Sequence, residues 1–305
     1  MYKNKRLKSA FLVAAMTALA SSAAYAQEPV SETTPASETQ TPPKPKSEFR
    51  ANFKRVALDL SSTEVSNAEE YQDSTVTALS ADSKKVIKGV FDFALEYERE
   101  KMRWDNKIYL SYGKTTTKEV GVPKSTDEND DQIIFTTDYT YKLWNIKQAS
   151  LGPFASAAYQ TEFTENADSP RNKILRGATG LRLLNAPYVP NFYAAVIGEA
   201  DFTYPTDVER YGWEIGFESS HELREGVKFK GEGYYRKYVQ YSTYNGPDLR
   251  YDLSLVGRMD VAIYKKVSLS PYVQYRLAKS REAKNHGSNF MIGLSLSYAD
   301  IFKIW

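Results

Sequence analysis

Cysteine is absent from the 305 residues, and histidine occurs only twice. The first absence removes disulfide frameworks, thiolate nucleophiles and thiolate metal sites together. The second leaves His221 and His286 as the whole supply of imidazole chemistry. Beyond the N-terminal segment no apolar run approaches the ~20 residues that a spanning helix needs. With a mean hydropathy of −0.53, a bundle of membrane helices is excluded. An excess of one charge is also missing: 40 Lys and Arg stand against 38 Asp and Glu, a net charge of +2. That balance gives no basis for a nucleic-acid partner. A convincing helical period is lacking throughout.

The N-terminus carries a basic stretch, "MYKNKRLK", an apolar stretch, "SAFLVAAMTALASSA", and a small-x-small site at Ala24-Tyr25-Ala26. This pattern predicts a secretory signal peptide over 1–26, cleaved after Ala26, because the apolar run is too short for an anchor. Residues 27–47, "QEPVSETTPASETQTPPKPKS", hold almost no large apolar side chain. They read as a disordered, extended periplasmic leader. Residues 48–305 then form one domain.

In that domain apolar and polar residues alternate at period two, the mark of strands whose side chains point to opposite faces. From Leu249 to Leu277 one face carries Leu253, Leu255, Val261, Leu269 and Val273, and the other Asp252, Arg258, Asp260 and Arg276. About twelve such strands are expected. Their length, 12 to 15 residues in many cases, exceeds the usual 5 or 6. The connections alternate between long segments such as "EVGVPKSTDENDD" and tight ones such as "YKK". Long loops at one end and short turns at the other are the loop signature of an antiparallel transmembrane β-barrel. The 23 tyrosines suit a boundary between oil and water. Pro271 is expected to force a bulge or local break, since a closed barrel has no free edge to accommodate its missing donor.

The last segment, "FMIGLSLSYADIFKIW", alternates through Phe290, Ile292, Leu294, Leu296 and Tyr298 and ends at Trp305. In this it resembles Gram-negative outer-membrane β-barrel proteins, and looks most like their uncharacterised families of unknown function, the salt-induced outer-membrane protein type among them. The resemblance implies a barrel in the bacterial outer membrane, surrounded by lipid and lipopolysaccharide. It also implies that the barrel-assembly machinery reads the final strand. In that family pattern the last strand stays in phase to its last residue, whereas "ADIFKIW" breaks phase.

The residues expected to line the interior carry balanced charge. Arg176, Lys228, Arg250, Arg258 and Arg276 supply the cations; Asp92, Glu96, Glu199, Asp201, Glu232, Asp252 and Asp260 supply the carboxylates. Mixed signs fit either a polar passage or an interior filled by ion pairs. The expectation is a non-enzymatic barrel without a cofactor or metal, either a narrow channel for small polar solutes or a structural envelope protein. Two alternatives stand beside it. His286 and Ser288 in "KNHGSN" resemble the His-x-Ser-Asn element of barrel-embedded lipid hydrolases, the phospholipase and lipid A deacylase type. A soluble periplasmic β-protein would show the same alternation. The acidic run Ser125 to Asp131 lacks the ligand spacing and central glycine of a calcium loop and reads as a solvated surface loop.

Overall fold

A computed structural model describes residues 47–71, 74, 76–79, 85–117, 125–165, 170–243 and 248–305. The expected signal peptide, and all of the leader except Ser47, lie outside the described residues. The strands are β1 (Glu48–Ser66), β2 (Val86–Glu98), β3 (Met102–Thr117), β4 (Ser125–Tyr141), β5 (Trp144–Ile146), β6 (Ala149–Thr161) and β7 (Ile174–Ala186). They continue as β8 (Val189–Asp201), β9 (Val208–Arg224), β10 (Val227–Tyr241), β11 (Leu249–Tyr264), β12 (Val267–Ser280) and β13 (Gly287–Lys303). Two 3-10 turns, Ala68–Tyr71 and Thr77–Leu79, lie between β1 and β2.

Neighbours pair antiparallel in chain order, and two further ladders close the sheet: β1 with β13, and β4 with β6 past the three-residue β5. The result is a closed barrel of twelve long strands. Closure leaves no edge, so each of the twelve long strands has a partner on both sides. The connections 99–101, 187–188, 225–226 and 265–266 share one rim with Glu48 and Trp305; the strand ends Ser66 and Val86, Thr117 and Ser125, Thr161 and Ile174, Asp201 and Val208, Tyr241 and Leu249, and Ser280 and Gly287 share the other. These are called the turn rim and the loop rim. At the turn rim Gly226, at φ 73°, supplies the left-handed corner between β9 and β10.

The outward face is apolar and bare: Leu58, Ile87, Val196, Ile292 and Leu296 are each at least half exposed. The inward face is polar and buried, with Asp59, Ser111, Asp252, Ser270 and Ser295 at 2% or less. This inverts the order of a soluble barrel. Each exposed aliphatic side chain left in water forfeits roughly 1.5–3 kcal/mol that lipid would recover. The soluble alternative is therefore set aside: the apolar belt is the surface of a transmembrane span.

Local departures from alternation have identifiable causes. A bulge in β1 at Lys54-Arg55 turns both of those side chains inward and shifts the β1–β13 register between Phe53 and Val56. Along β13 the outward phase runs on to Phe302, which packs against Phe53, and the phase breaks beyond it, between Ile304 and Trp305. Trp305 is carried back to the outside, its carbonyl accepting from the Phe49 N–H at 3.0 Å and its ring 5.8 Å from Phe49 and Tyr97. At Pro271 the β11–β12 register is the same on either side, but the ladder skips Met259 and Asp260. The expected disturbance is thus a gap in the ladder and not a bulge. The acidic run is corrected as well: β4 begins at Ser125, so these residues extend a strand and do not form a loop.

Candidate functional site in the barrel interior

Alternation and register together decide which interior charges meet. Arg176 stands directly opposite Glu199 and bonds it at 2.6 Å; Arg236 stands opposite Glu214 and bonds it. Arg210 forks to three carboxylates, Glu199 and Asp248 at 2.8 Å through separate nitrogens and Asp201 at 3.0 Å. Asp252 accepts from Arg276 and from the Tyr234 hydroxyl, both at 2.8 Å. Glu96 is held by Arg50, Arg103 and Asn52. Arg258 and Lys230 share Asp260 at 2.7 and 3.0 Å. Arg182 bonds Asp138 and lies over the Phe154 ring, its guanidinium carbon 4.0 Å from the centroid. Lys54 on β1 comes within 4.0 Å of Glu218 on β9, far round the barrel wall. Arg250 is the extra residue of a bulge between Leu249 and Tyr251 and is exposed, while Leu249 takes the buried inward place.

Part of the chain between β1 and β2 folds into the barrel at the loop rim. Asn67, at φ 61°, turns the backbone out of β1, a conformation Asn tolerates better than most residues, and its side chain donates to the His286 carbonyl at 2.8 Å. Tyr71, Val76 and Leu79 then pack inside the barrel against Ile197, Tyr238, Leu249 and Ala278. Tyr71 is 2% exposed and Leu79 fully buried. The Tyr71 hydroxyl donates to the Asn285 and Ala278 carbonyls at 2.8 and 3.2 Å, and burial raises its pKa. Gly287 gives this ring its room: a Cβ there would lie 2.8 Å from a ring carbon. Glu70 accepts from the backbone and side-chain N–H groups of Asn285, which lower its pKa. Asn289, buried and inward, donates to the Ala78 carbonyl and accepts from Thr63. An apolar plug inside a polar barrel left no periodic signal, because its residues lie in a connection that reads as an ordinary loop.

Below the plug, towards the turn rim, lies a cavity of about 560 Å³. Pro190, Lys266, Asp300 and Ile301 line it near the rim, and Val90, Tyr109 and Val256 line it further in. Its charged walls include Asp92, Glu218 and Glu232, and Lys228, Lys230 and Arg258.

The His-x-Ser-Asn element is not gathered into one site. Ser288 stands opposite Leu277 and Ser66, whereas Asn289 points to the opposite face. The His286 Nδ1 is hydrogen-bonded to the Tyr251 hydroxyl. His221 packs its ring edge-on against Tyr188 at 4.7 Å. Among the described residues, no cluster of His, Asp or Glu has the geometry to hold a metal ion. Of the acidic run, Asp130 bonds Lys88 and Ser111, and Asp131 accepts from the Phe163 and Thr164 N–H groups, fixing the start of the β6–β7 loop.

Residues 79–166 match a family model described as "Protein of unknown function (DUF3078)". No curated protein matches the chain. Among solved structures it is similar to the outer-membrane channel DcaP of Acinetobacter baumannii, at 10% identity and TM-score 0.39 over 85% of this chain and 99% of that one. It is also similar to the translocator domain of the autotransporter NalP from Neisseria meningitidis, at 10% identity and TM-score 0.35 over 82% and 88%. A BenF-like porin from Pseudomonas fluorescens follows at 8% identity and TM-score 0.34, over 84% and 99%. The barrel assignment rests on the strand register given above, and these likenesses add no functional argument to it.

Proposed function

We propose that this chain is a non-enzymatic β-barrel of the bacterial outer membrane whose resting state is closed, a sealed envelope barrel and not a standing pore. The observation that carries this reading is the packing of Tyr71, Val76 and Leu79 inside the loop rim. The ion-paired interior and the Lys54–Glu218 approach within the lumen support it. Long loops face outward and short turns face the periplasm in barrels of this kind, so the plug sits at the external mouth and the cavity opens inward.

A solute channel is the second reading, and the cavity is the feature that favours it, since it provides a polar passage through part of the lumen. Purified protein reconstituted in planar bilayers separates the two. The closed reading expects a silent bilayer after insertion is verified by heat-modifiable mobility. Repeated, uniform conductance steps would overturn it in favour of the channel.

A further inference from the structure

Charge is matched through most of the barrel interior, and the exceptions gather in one place. Among the described residues the inward-facing ionisable groups with no hydrogen bond or ion pair include Asp92, Glu232 and Lys228, and all three line the 560 Å³ cavity. The register there also sets like charges face to face: Glu218 opposite Glu232, and Lys230 opposite Arg258. Like charges directly opposite on neighbouring strands destabilise a sheet. Elsewhere such a row is answered from the same wall: Glu96, Asp105 and Asp138 also stand in register, but Arg103, Lys107 and Arg182 neutralise them. At the cavity Asp260 bonds both Lys230 and Arg258 and also stands opposite Lys228, which is exposed towards the turn rim, so three cations face one carboxylate. Two carboxylates are likewise left over.

From this we infer that the cavity is a binding site for a small zwitterionic solute entering from the turn rim, one carrying ammonium groups for Asp92 and Glu232 and carboxylates for Lys228 and the Lys230–Arg258 pair. Such a ligand supplies the partners the wall withholds. The cavity volume falls within the range of small-molecule sites, roughly 300–1,000 Å³. A purely cationic or purely anionic solute would satisfy one set of charges and face the other unpaired. The inference goes beyond the closed-barrel reading and does not depend on it, because a blind vestibule and a passage would hold the same ligand.

The test is titration calorimetry on the full-length, folded barrel in an uncharged detergent, with the dipeptide lysyl-glutamate as probe and cadaverine and glutarate as controls. The dipeptide carries two ammonium groups and two carboxylates, which matches the surplus on the wall. The expected result is one-to-one binding of the dipeptide, tighter than either control. Asp92→Asn, Glu232→Gln and Lys228→Met should each weaken it at least about tenfold, the usual consequence of deleting one charge-assisted contact. Each variant is nearly isosteric and is checked for heat-modifiable mobility, so one that fails to fold is recognised and the other two decide. Absence of binding at millimolar dipeptide, binding unchanged in the folded variants, or equal affinity for cadaverine or glutarate would overturn the inference. Conductance is not part of this readout, so failure here and failure of the closed-barrel reading are separate results.

Discussion

Replacing Arg210 by Met removes the most heavily used cation of the loop rim. Its guanidinium is 8% exposed and joins Glu199 and Asp201 on β8 to Asp248 at the start of β11, reaching past the intervening β10. The damage is unequal. Glu199 keeps Arg176 and the Tyr238 hydroxyl, and Asp201 keeps the Thr203 N–H, while Asp248 gives up its contacts to two of the guanidinium nitrogens. A stranded carboxylate can always take a proton, which at pH 7 costs at most about 4 kcal/mol, three units of pKa at about 1.36 kcal/mol each. Breaking one side of a buried ion pair commonly costs about 3–5 kcal/mol. Because Glu199 and Asp201 keep other partners, the expected loss lies at the lower end of that range, about 3 kcal/mol. Urea unfolding of the barrel in lipid vesicles, followed by tryptophan fluorescence, measures it. Adding Asp248→Asn to Arg210→Met should return part of the loss, about 1–2 kcal/mol, because one of the three buried acids no longer carries charge. A loss below about 1 kcal/mol for the single variant, or no recovery in the double, would refute the claim that this fork holds the rim together.

Tyr71→Ala removes the anchor of the plug and should cost its docking about 3–4 kcal/mol, from ring burial and two hydrogen bonds. Amide exchange across Asn67–Leu79 should then quicken by about a hundredfold or more while the barrel stays heat-modifiable; unchanged protection would remove the plug from the account. Pro271→Val should stabilise the barrel by about 0.5–1.5 kcal/mol in the same urea assay, since it restores a donor where the β11–β12 ladder skips Met259 and Asp260. Destabilisation there would mean that the gap is needed.

Where the sequence is legible, it is because one force acts with one period. Lipid on one side of every strand makes alternation continuous, so β2, β11 and β12 lie within two residues of the limits 85–99, 249–263 and 267–278 that alternation predicts. The same force fades at the loop rim, where strands leave the hydrocarbon and either composition can pair. There β1 runs on to Ser66 and β4 begins at Ser125, both in stretches that read as polar loops. Alternation also splits the run "GYYRKYVQYSTYNG": Tyr234 and Tyr238 turn inward to Asp252 and Glu199, while Tyr235 faces outward beside Trp213 and Tyr251. A bulge cannot be read from period alone, which is why Arg250 was expected inside and Leu249 takes that place.

The balanced interior charge illustrates what one dimension of information leaves open. Composition says that cations and carboxylates are about equal, but whether they cancel depends on register, which fixes which residue of one strand faces which of the next. Arg176 against Glu199 and Arg236 against Glu214 are cancellations produced by register. Glu218 against Glu232 and Lys230 against Arg258 are oppositions produced by the same register a few residues away. A shift of two residues in β10 would preserve every inward and outward assignment and exchange these partners, so alternation does not select the arrangement. For Glu218 against Glu232 the tight turn at 225–226 does, because it pins β9 to β10 at the turn rim, next to the cavity, whereas β10 and β11 are joined at the other rim. The Glu218–Glu232 opposition is therefore held in place by one of the most constrained connections in the barrel. A substitution that relieved the repulsion, such as Glu232→Gln, would be tolerated by the fold, and what it would remove is one of the surplus carboxylates facing the cavity.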